Sequence, residues 1–222
     1  MSIRPDTEET REDAARVVAS GGVIAFRTDT FYGLGANPRN AKAVQRIRAI
    51  KGRDDGKPIL LLIGELAEVK SLTAFEPPLF RVIANQLWPG PLTIVLPAIG
   101  ALPNEVTARS GSIGLRLPDH DGLRELLTTC GGVLTATSAN PTGSEPATSA
   151  LQVVEYFPRG IDLIIDGGVV TATQPSTVID VTCDPPRIIR EGAVSRAELE
   201  AISDLRFQIV GGQWFAYLQW VL

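Results

Sequence analysis

Gly132–Gly143 reads GVLTATSANPTG. Gly132-Val133-Leu134 begins as a buried strand does, with apolar residues entered from a glycine. A buried strand should stay apolar to its end, because unpaired polar groups are costly to bury. This one runs instead into Thr137, Ser138 and Asn140 and stops at Pro141. Buried strands that end in polar tips are the pattern of α/β sheets, where ligands sit beyond strand ends and loops converge.

The same style recurs on both sides of this stretch. Gly22–Phe26, Pro58–Ile63, Leu92–Leu96, Ser112–Leu117, Ile161–Ile165, Thr177–Val181 and Arg187–Arg190 read as strands, and Val133–Thr137 joins them. The run PILLLI in Pro58–Ile63 is continuously apolar, as expected of a strand covered on both faces. Helices alternate with the strands. Asp6-Thr7-Glu8-Glu9 opens one, which Gly21-Gly22 end. Asn40 caps a second, with Val44, Ile47 and Ile50 on one face. Two more are expected near Glu65–Val69 and Leu79–Leu87. Asp121 is expected to cap a fifth through Leu127, Ser149–Tyr156 forms a sixth, and the Ser195/Glu198 capping box starts the last. The fold class is α/β: a twisted, open, mixed sheet with helices packed on it. Residues 1–204 form the domain. The tail 205–222, with two of the three tryptophans, follows no pattern of the fold.

The 222 residues carry a net charge of −4, with 44% hydrophobic and 21% charged residues, so the composition is globular. A phosphate ligand therefore needs a local basic pocket rather than a basic surface. Two separated cysteines, Cys130 and Cys183, and a single histidine, His120, argue against a structural zinc site. No run approaches the roughly 18 apolar residues of a membrane helix, and the polar N-terminus is no signal peptide. A cytoplasmic protein without membrane contact is expected.

Polar residues gather at four strand ends: Arg27–Gly35 (RTDTFYGLG), Ser112 with Arg116, Thr137–Asn140, and Pro175-Ser176-Thr177. Arg116 lies inside an apolar strand, where a charge needs a partner; an anionic ligand and an internal carboxylate are both candidates. Lys51–Pro58 (KGRDDGKP) combines glycines with Lys51, Arg53 and Lys57, a loop able to approach phosphate or simply to stand in solvent. Trp88–Thr93 is a rigid turn whose tryptophan reads as a packing anchor. His120 reads as structural. There is no GxxxxGK[ST] loop, GxGxxG fingerprint or GxSxG elbow. Any nucleotide must be held by scattered side chains, for chemistry that relies on positioning and charge neutralisation.

In order along the chain stand Thr28-Asp29-Thr30 with Tyr32-Gly33-Leu34-Gly35, Lys51-x-Arg53, Lys57-Pro58, Trp88–Thr93, Arg116-x-Pro118, Thr137-Ser138-Ala139-Asn140, Pro175–Val178 and Arg190-Glu191-Gly192. Over residues 10–200 this ordered set resembles the Sua5/YciO/YrdC family. The resemblance implies a YrdC-like sheet around a deep cationic cavity. It also implies an activity: L-threonine, bicarbonate or CO2, and ATP give threonylcarbamoyl-AMP and pyrophosphate. A downstream threonylcarbamoyl transferase would then modify tRNA. By position, Thr30, Arg116, Ser138 and Ser176 match the threonine side. Arg53, Lys57, Ser112, Asn140, Thr148 and Arg190 match the ATP side, with Lys51 and Arg53 as the catalytic basic pair. Mg²⁺ is expected to come with ATP, without a carboxylate motif in the chain to hold it. Arg27 stands where relatives often have proline, and Leu62 where some carry histidine. The chain is too short for the family's longer two-domain form, so the short form is expected. A double-stranded-RNA-binding or ribosome-maturation module of the same fold is the alternative, with tRNA or double-stranded RNA as candidate partners; the acidic net charge and four lysines weigh against a broad phosphate footprint.

Overall fold

The structure, a computed structural model, describes residues 1–52, 58–203 and 207–209. In chain order the elements are β1 (Ser2–Pro5), α1 (Glu8–Ala19), β2 (Ile24–Arg27), β3 (Tyr32–Gly35), α2 (Ala41–Ile50), β4 (Leu60–Ile63), a 3₁₀ helix (Leu66–Ser71), α3 (Pro78–Leu87), β5 (Leu92–Pro97), α4 (Asn104–Thr107), β6 (Ser112–Arg116), α5 (Asp121–Thr129), β7 (Val133–Ser138), α6 (Ala150–Tyr156), β8 (Leu163–Asp166), β9 (Thr177–Asp180), β10 (Arg187–Arg190), α7 (Arg196–Ser203) and β11 (Gln208–Ile209). The strands form one mixed sheet in the order β1-β8-β2-β3-β7-β4-β6-β5-β9-β10-β11. No helix among the described residues is long and apolar enough to cross a membrane.

The strand sequences explain a sheet covered on both faces. In β4, Leu61 and Ile63 join the larger core while Leu62 faces the smaller one. In β2, Ala25 faces the larger core and Ile24 and Phe26 the smaller. Alternate residues thus enter different cores, which is why these strands read as unbroken apolar runs. Helices α1 and α5 cover the smaller core with Ala14, Val18, Leu123, Leu126 and Leu127. Helices α2, α3 and α6 cover the larger with Val44, Ile47, Phe80, Ile83 and Val153. Each such side chain contributes about 1.5–3 kcal/mol on burial.

The helix ends follow local chemistry. Thr7 caps α1 by accepting from Thr10 N–H at 3.3 Å, and Gly21 takes φ +82°, which favours glycine, just past its end. Asn40 caps α2 through Ala43 N–H, as expected. Helix α5 differs: His120 is the cap, its Nδ1 accepting from Leu123 N–H at 3.1 Å, and Asp121 is the first helical residue. A neutral imidazole nitrogen is an acceptor as a carboxylate is, so it fills the role one position earlier. Glu65–Val69 also differs. Only Val69 is buried in Leu66–Ser71, too narrow an apolar anchor for more than a 3₁₀ turn. Strands β3 and β11 are not among the strands the sequence predicts, and neither is β1. Strand β1 is largely exposed and is defined by parallel backbone pairing with β8 rather than by its side chains.

Strand order places β2 and β6 four steps apart, about 19 Å in a flat sheet. Yet Arg116, on β6, reaches the hydroxyl of Thr30 just after β2 at 3.1 Å. Likewise Arg27, at the end of β2, lies 2.9 Å from His120 Nε2, beyond β6. The sheet must therefore curl strongly, as accumulated strand twist allows. Strand β7 stands at the joint: its tip pairs with β3 at Gly33↔Ser138, while its first four residues pair with β4.

Candidate active site

The turn between β2 and β3 is held by one hydroxyl. Thr28 Oγ1 accepts from the N–H groups of Thr30 and Phe31, each at 3.1 Å, and donates to Phe31 O at 2.6 Å. This frees Asp29 and Thr30 to project toward β6. There Arg116, only 3% exposed, donates Nε–H to Gly90 O and Nη1–H to Thr30 Oγ1, both at 3.1 Å, and forms an ion pair with Asp29. Of the two candidates for its partner, the internal carboxylate is present, and it is Asp29. Gly90 is offered by the Trp88–Thr93 turn, where Gly90 N–H donates to Leu117 O at 2.9 Å. Trp88 is the expected packing anchor: it is buried edge-on against Phe80, with its indole N–H on Leu92 O at 2.7 Å.

A second half of the cluster comes from β9 and β10. Ser176 Oγ lies 3.1 Å from Thr93 Oγ1. Arg190 donates to Ser176 O through Nε and Nη2, at 3.1 and 2.7 Å, and to Ser176 Oγ at 3.0 Å. Thr177 ties the following loop down, its Oγ1 accepting from Gly192 N–H at 2.9 Å and Val194 N–H at 3.0 Å. Gly192 lies so close to Pro175 that a Cβ there would stand 2.3 Å from Pro175 O. Burial, together with the nearby charge of Arg116, lowers the pKa of Arg190 to about 10. Burial also lowers that of Arg116, opposed by the Asp29 carboxylate. Arg190 stays charged at neutral pH, so the cluster holds two guanidiniums, of which Arg116 is ion-paired with Asp29. This excess of buried positive charge suits an anionic ligand.

The remaining expected residues form smaller local sets. Lys51, at the end of α2 and 5% exposed, donates to Ser138 O and lies 3.4 Å from Ser138 Oγ. Asn140 spends both Nδ2 hydrogens on Pro141 O and Ser144 O, at 3.1 and 2.6 Å. The loop that carries it folds back on β3, with Ala139 N–H on Tyr32 O and Tyr32 N–H on Ala147 O. Thr148 donates N–H and Oγ1–H to Gln152 Oε1 at 2.7 and 3.0 Å. Ser112 pairs with Ser110 Oγ at 3.0 Å, at the end of β6 away from Arg116. Arg53 and Lys57 lie outside the described residues, as does most of the tail 205–222. The structure thus joins Thr30, Arg116 and Ser176 of the threonine set, draws Arg190 from the ATP set to them, and pairs Ser138 with Lys51. Thr93, which ends the Trp88–Thr93 turn, faces the cluster as the sequence allows, while Asp29 and Gly90 are site members the sequence does not single out. Of these, only Asp29 carried a signal, as the one acid inside the TDT turn.

Beside the arginine cluster opens a cleft of about 310 Å³, lined in part by Asp29, Thr30, Pro91, Asp119, Gln174 and Ala193. Its charged lining residues are acidic; the cations Arg116 and Arg190 bond to or lie beside the lining rather than forming it. Among the described residues no group of three or more His, Cys, Asp or Glu side chains could hold a metal.

The Sua5, YciO and YrdC family profile, described as telomere recombination, matches residues 16–192. A threonylcarbamoyl-AMP synthase of Pyrococcus abyssi is 36% identical over 203 residues, 91% of this chain and 60% of that protein. The chain thus spans well under two thirds of this longer relative. A threonylcarbamoyl-AMP synthase of Thiobacillus denitrificans is 36% identical over 179 residues, covering 79% of this chain and 95% of the relative. The crystal structure of P. abyssi Sua5 complexed with L-threonine superposes with a TM-score of 0.87 at 34% identity, over 93% of this chain and 61% of the other.

Proposed function

The chain belongs to the Sua5/YciO/YrdC family, and from that premise we propose that it forms threonylcarbamoyl-AMP and pyrophosphate from L-threonine, bicarbonate or CO2, and ATP. The observation that carries this reading is the pair of clustered guanidiniums, Arg116 and Arg190, interleaved with the hydroxyls of Thr30, Thr93 and Ser176 beside an open cleft. Such a cluster suits a small ligand with a carboxylate and a hydroxyl. The relative with L-threonine bound supports the choice of amino acid.

In the proposed reaction Arg116 receives the threonine carboxylate, and Thr30, Ser138 and Ser176 surround the rest of the amino acid. The threonine amine adds to CO2, giving a carbamate and releasing a proton. A carbamate oxygen then attacks the α-phosphorus of ATP. The bond from that phosphorus to the β-phosphate oxygen breaks, and pyrophosphate leaves. Arg53 and Lys57, with Lys51 behind Ser138, offset charge on the polyphosphate. Ser112, Asn140, Thr148 and Arg190 are the proposed nucleotide contacts. Magnesium bound to ATP would supply further charge neutralisation at the polyphosphate and would be held mainly by phosphate oxygens and water. The product would pass to a downstream threonylcarbamoyl transferase acting on tRNA. Double-stranded RNA fits less well as a ligand: Arg4, Arg11, Arg16, Arg46, Arg81, Arg124 and Arg196 are all engaged with carboxylates.

The test is pyrophosphate release from ATP and bicarbonate with each amino acid in turn. Release that requires threonine is expected. No release with any amino acid, together with RNA binding that survives moderate salt, overturns the proposal in favour of an RNA module.

A further inference from the structure

The ion pair between Asp29 and Arg116 poses a problem for any carboxylate that enters the cleft. Arg116 is 3% exposed, and its donors already serve Gly90 O, Thr30 Oγ1 and Asp29. A ligand carboxylate can take the Nη2 edge of the guanidinium only by displacing the Asp29 side chain. Asp29 is itself mostly buried and lines the cleft next to Thr30. Beyond its ion pair, the facing Oδ1 has no hydrogen-bond partner. Displaced from Arg116, it would be a buried carboxylate with no counter-charge, which is among the costliest states a side chain can adopt.

A ligand that brings its own cation removes this cost. In an α-amino acid the ammonium stands one carbon from the carboxylate. A carboxylate on Arg116 therefore places the ammonium close to the acid it has displaced. We infer that Asp29 is the residue that makes the cleft select α-amino acids over simple hydroxy acids: it caps Arg116 in the resting protein and pairs with the ligand's ammonium when the ligand's carboxylate takes its place. This rests on the amino-acid reading above and deepens it, since Thr30, Ser176 and Arg116 by themselves offer nothing that requires an amine. Selectivity arises as it does wherever a site rejects an analogue that leaves a buried polar group unpaired.

The test compares L-threonine with 3-hydroxybutyrate, which is threonine without its amino group. Binding of each to the full chain is measured by calorimetry, with ligand-induced thermal shifts as a second readout. Wild type is expected to favour threonine by tenfold or more. In Asp29→Asn threonine should weaken and 3-hydroxybutyrate tighten, so that the preference falls by about an order of magnitude. Asp29→Glu, which keeps the charge, should retain the preference and shows that loss in Asp29→Asn is not misfolding. Tighter threonine binding in Asp29→Asn, or an unchanged ratio, overturns the role of Asp29 while leaving the amino-acid site intact. A wild type that binds neither compound at millimolar concentration overturns the amino-acid reading itself, and this inference with it.

Discussion

Arg116 and its neighbours show how few groups the proposed chemistry depends on. Arg116→Ala removes the counter-charge of Asp29 as well as the proposed carboxylate seat. It should cost about 3 kcal/mol of stability, the scale for breaking a buried ion pair, read by urea denaturation. It should also raise the KM for threonine far more than that for ATP; equal rises in both would place Arg116 outside the amino-acid side. The cysteines test burial independently. Burial pushes the Cys130 thiol up to about 12. At pH 8 only about one part in ten thousand of such a thiol is thiolate. Iodoacetamide should therefore leave Cys130 unmodified in the folded protein under conditions that label it fully in urea, as mass spectrometry would show. Sequence alone marked Arg116 as a buried charge, because it interrupts an apolar strand. It could not say that Asp29, distant in the chain, answers it, since that pairing depends on how far the sheet curls.

At the scale of elements, the loop after β10 depends on a hydroxyl from β9. Thr177 Oγ1 serves the N–H groups of Gly192 and Val194 and donates to Val194 O. Thr177→Val keeps the shape and leaves those backbone groups unpaired. A loss of about 2–4 kcal/mol follows if both donors stay buried, and Arg190, which directly precedes the loop, should lose its hold on Ser176. Chemical denaturation checks the first consequence, and a raised KM for ATP or threonine the second. Most elements were legible because their signals are local. Asn40, Ser149 and the Ser195/Glu198 box cap helices as their spacing indicates, and LLLI is a strand because two cores flank it. Besides β3 and β11, strand β1 and the short helix α4 were not legible. Strand β1 is made by pairing with β8, more than a hundred residues away, and helix α4 by a four-residue turn with no periodic stripe. The polar strand tips pointed to the region of the site, yet Ser112, Ser138, Asn140 and Thr148 bond locally and carry no sign of which ligand they meet.

At the scale of the molecule, β7 joins the part of the sheet that carries the β2–β3 turn to the part that carries β6. Thr135, at its middle and fully buried, receives Ala36 N–H at 2.9 Å and returns a hydrogen bond to Ala36 O at 3.3 Å. Thr135→Val should loosen this joint, at a cost of about 1–3 kcal/mol, and weaken ligand binding although no cleft residue changes. Faster amide exchange in both β3 and β7 would bear this out; a change confined to β7 would not. Curling also fixes when the cleft can exist. The charged groups in and beside it include Asp29, Arg116 and Arg190, far apart in the chain, so their contacts close long loops, and contacts of such high order form late. A chain still emerging from the ribosome would have no competent pocket until the strand bearing Arg190 had been made and docked. Ligand affinity in this protein should thus report completion of the whole fold, and no shorter fragment should inherit a share of it.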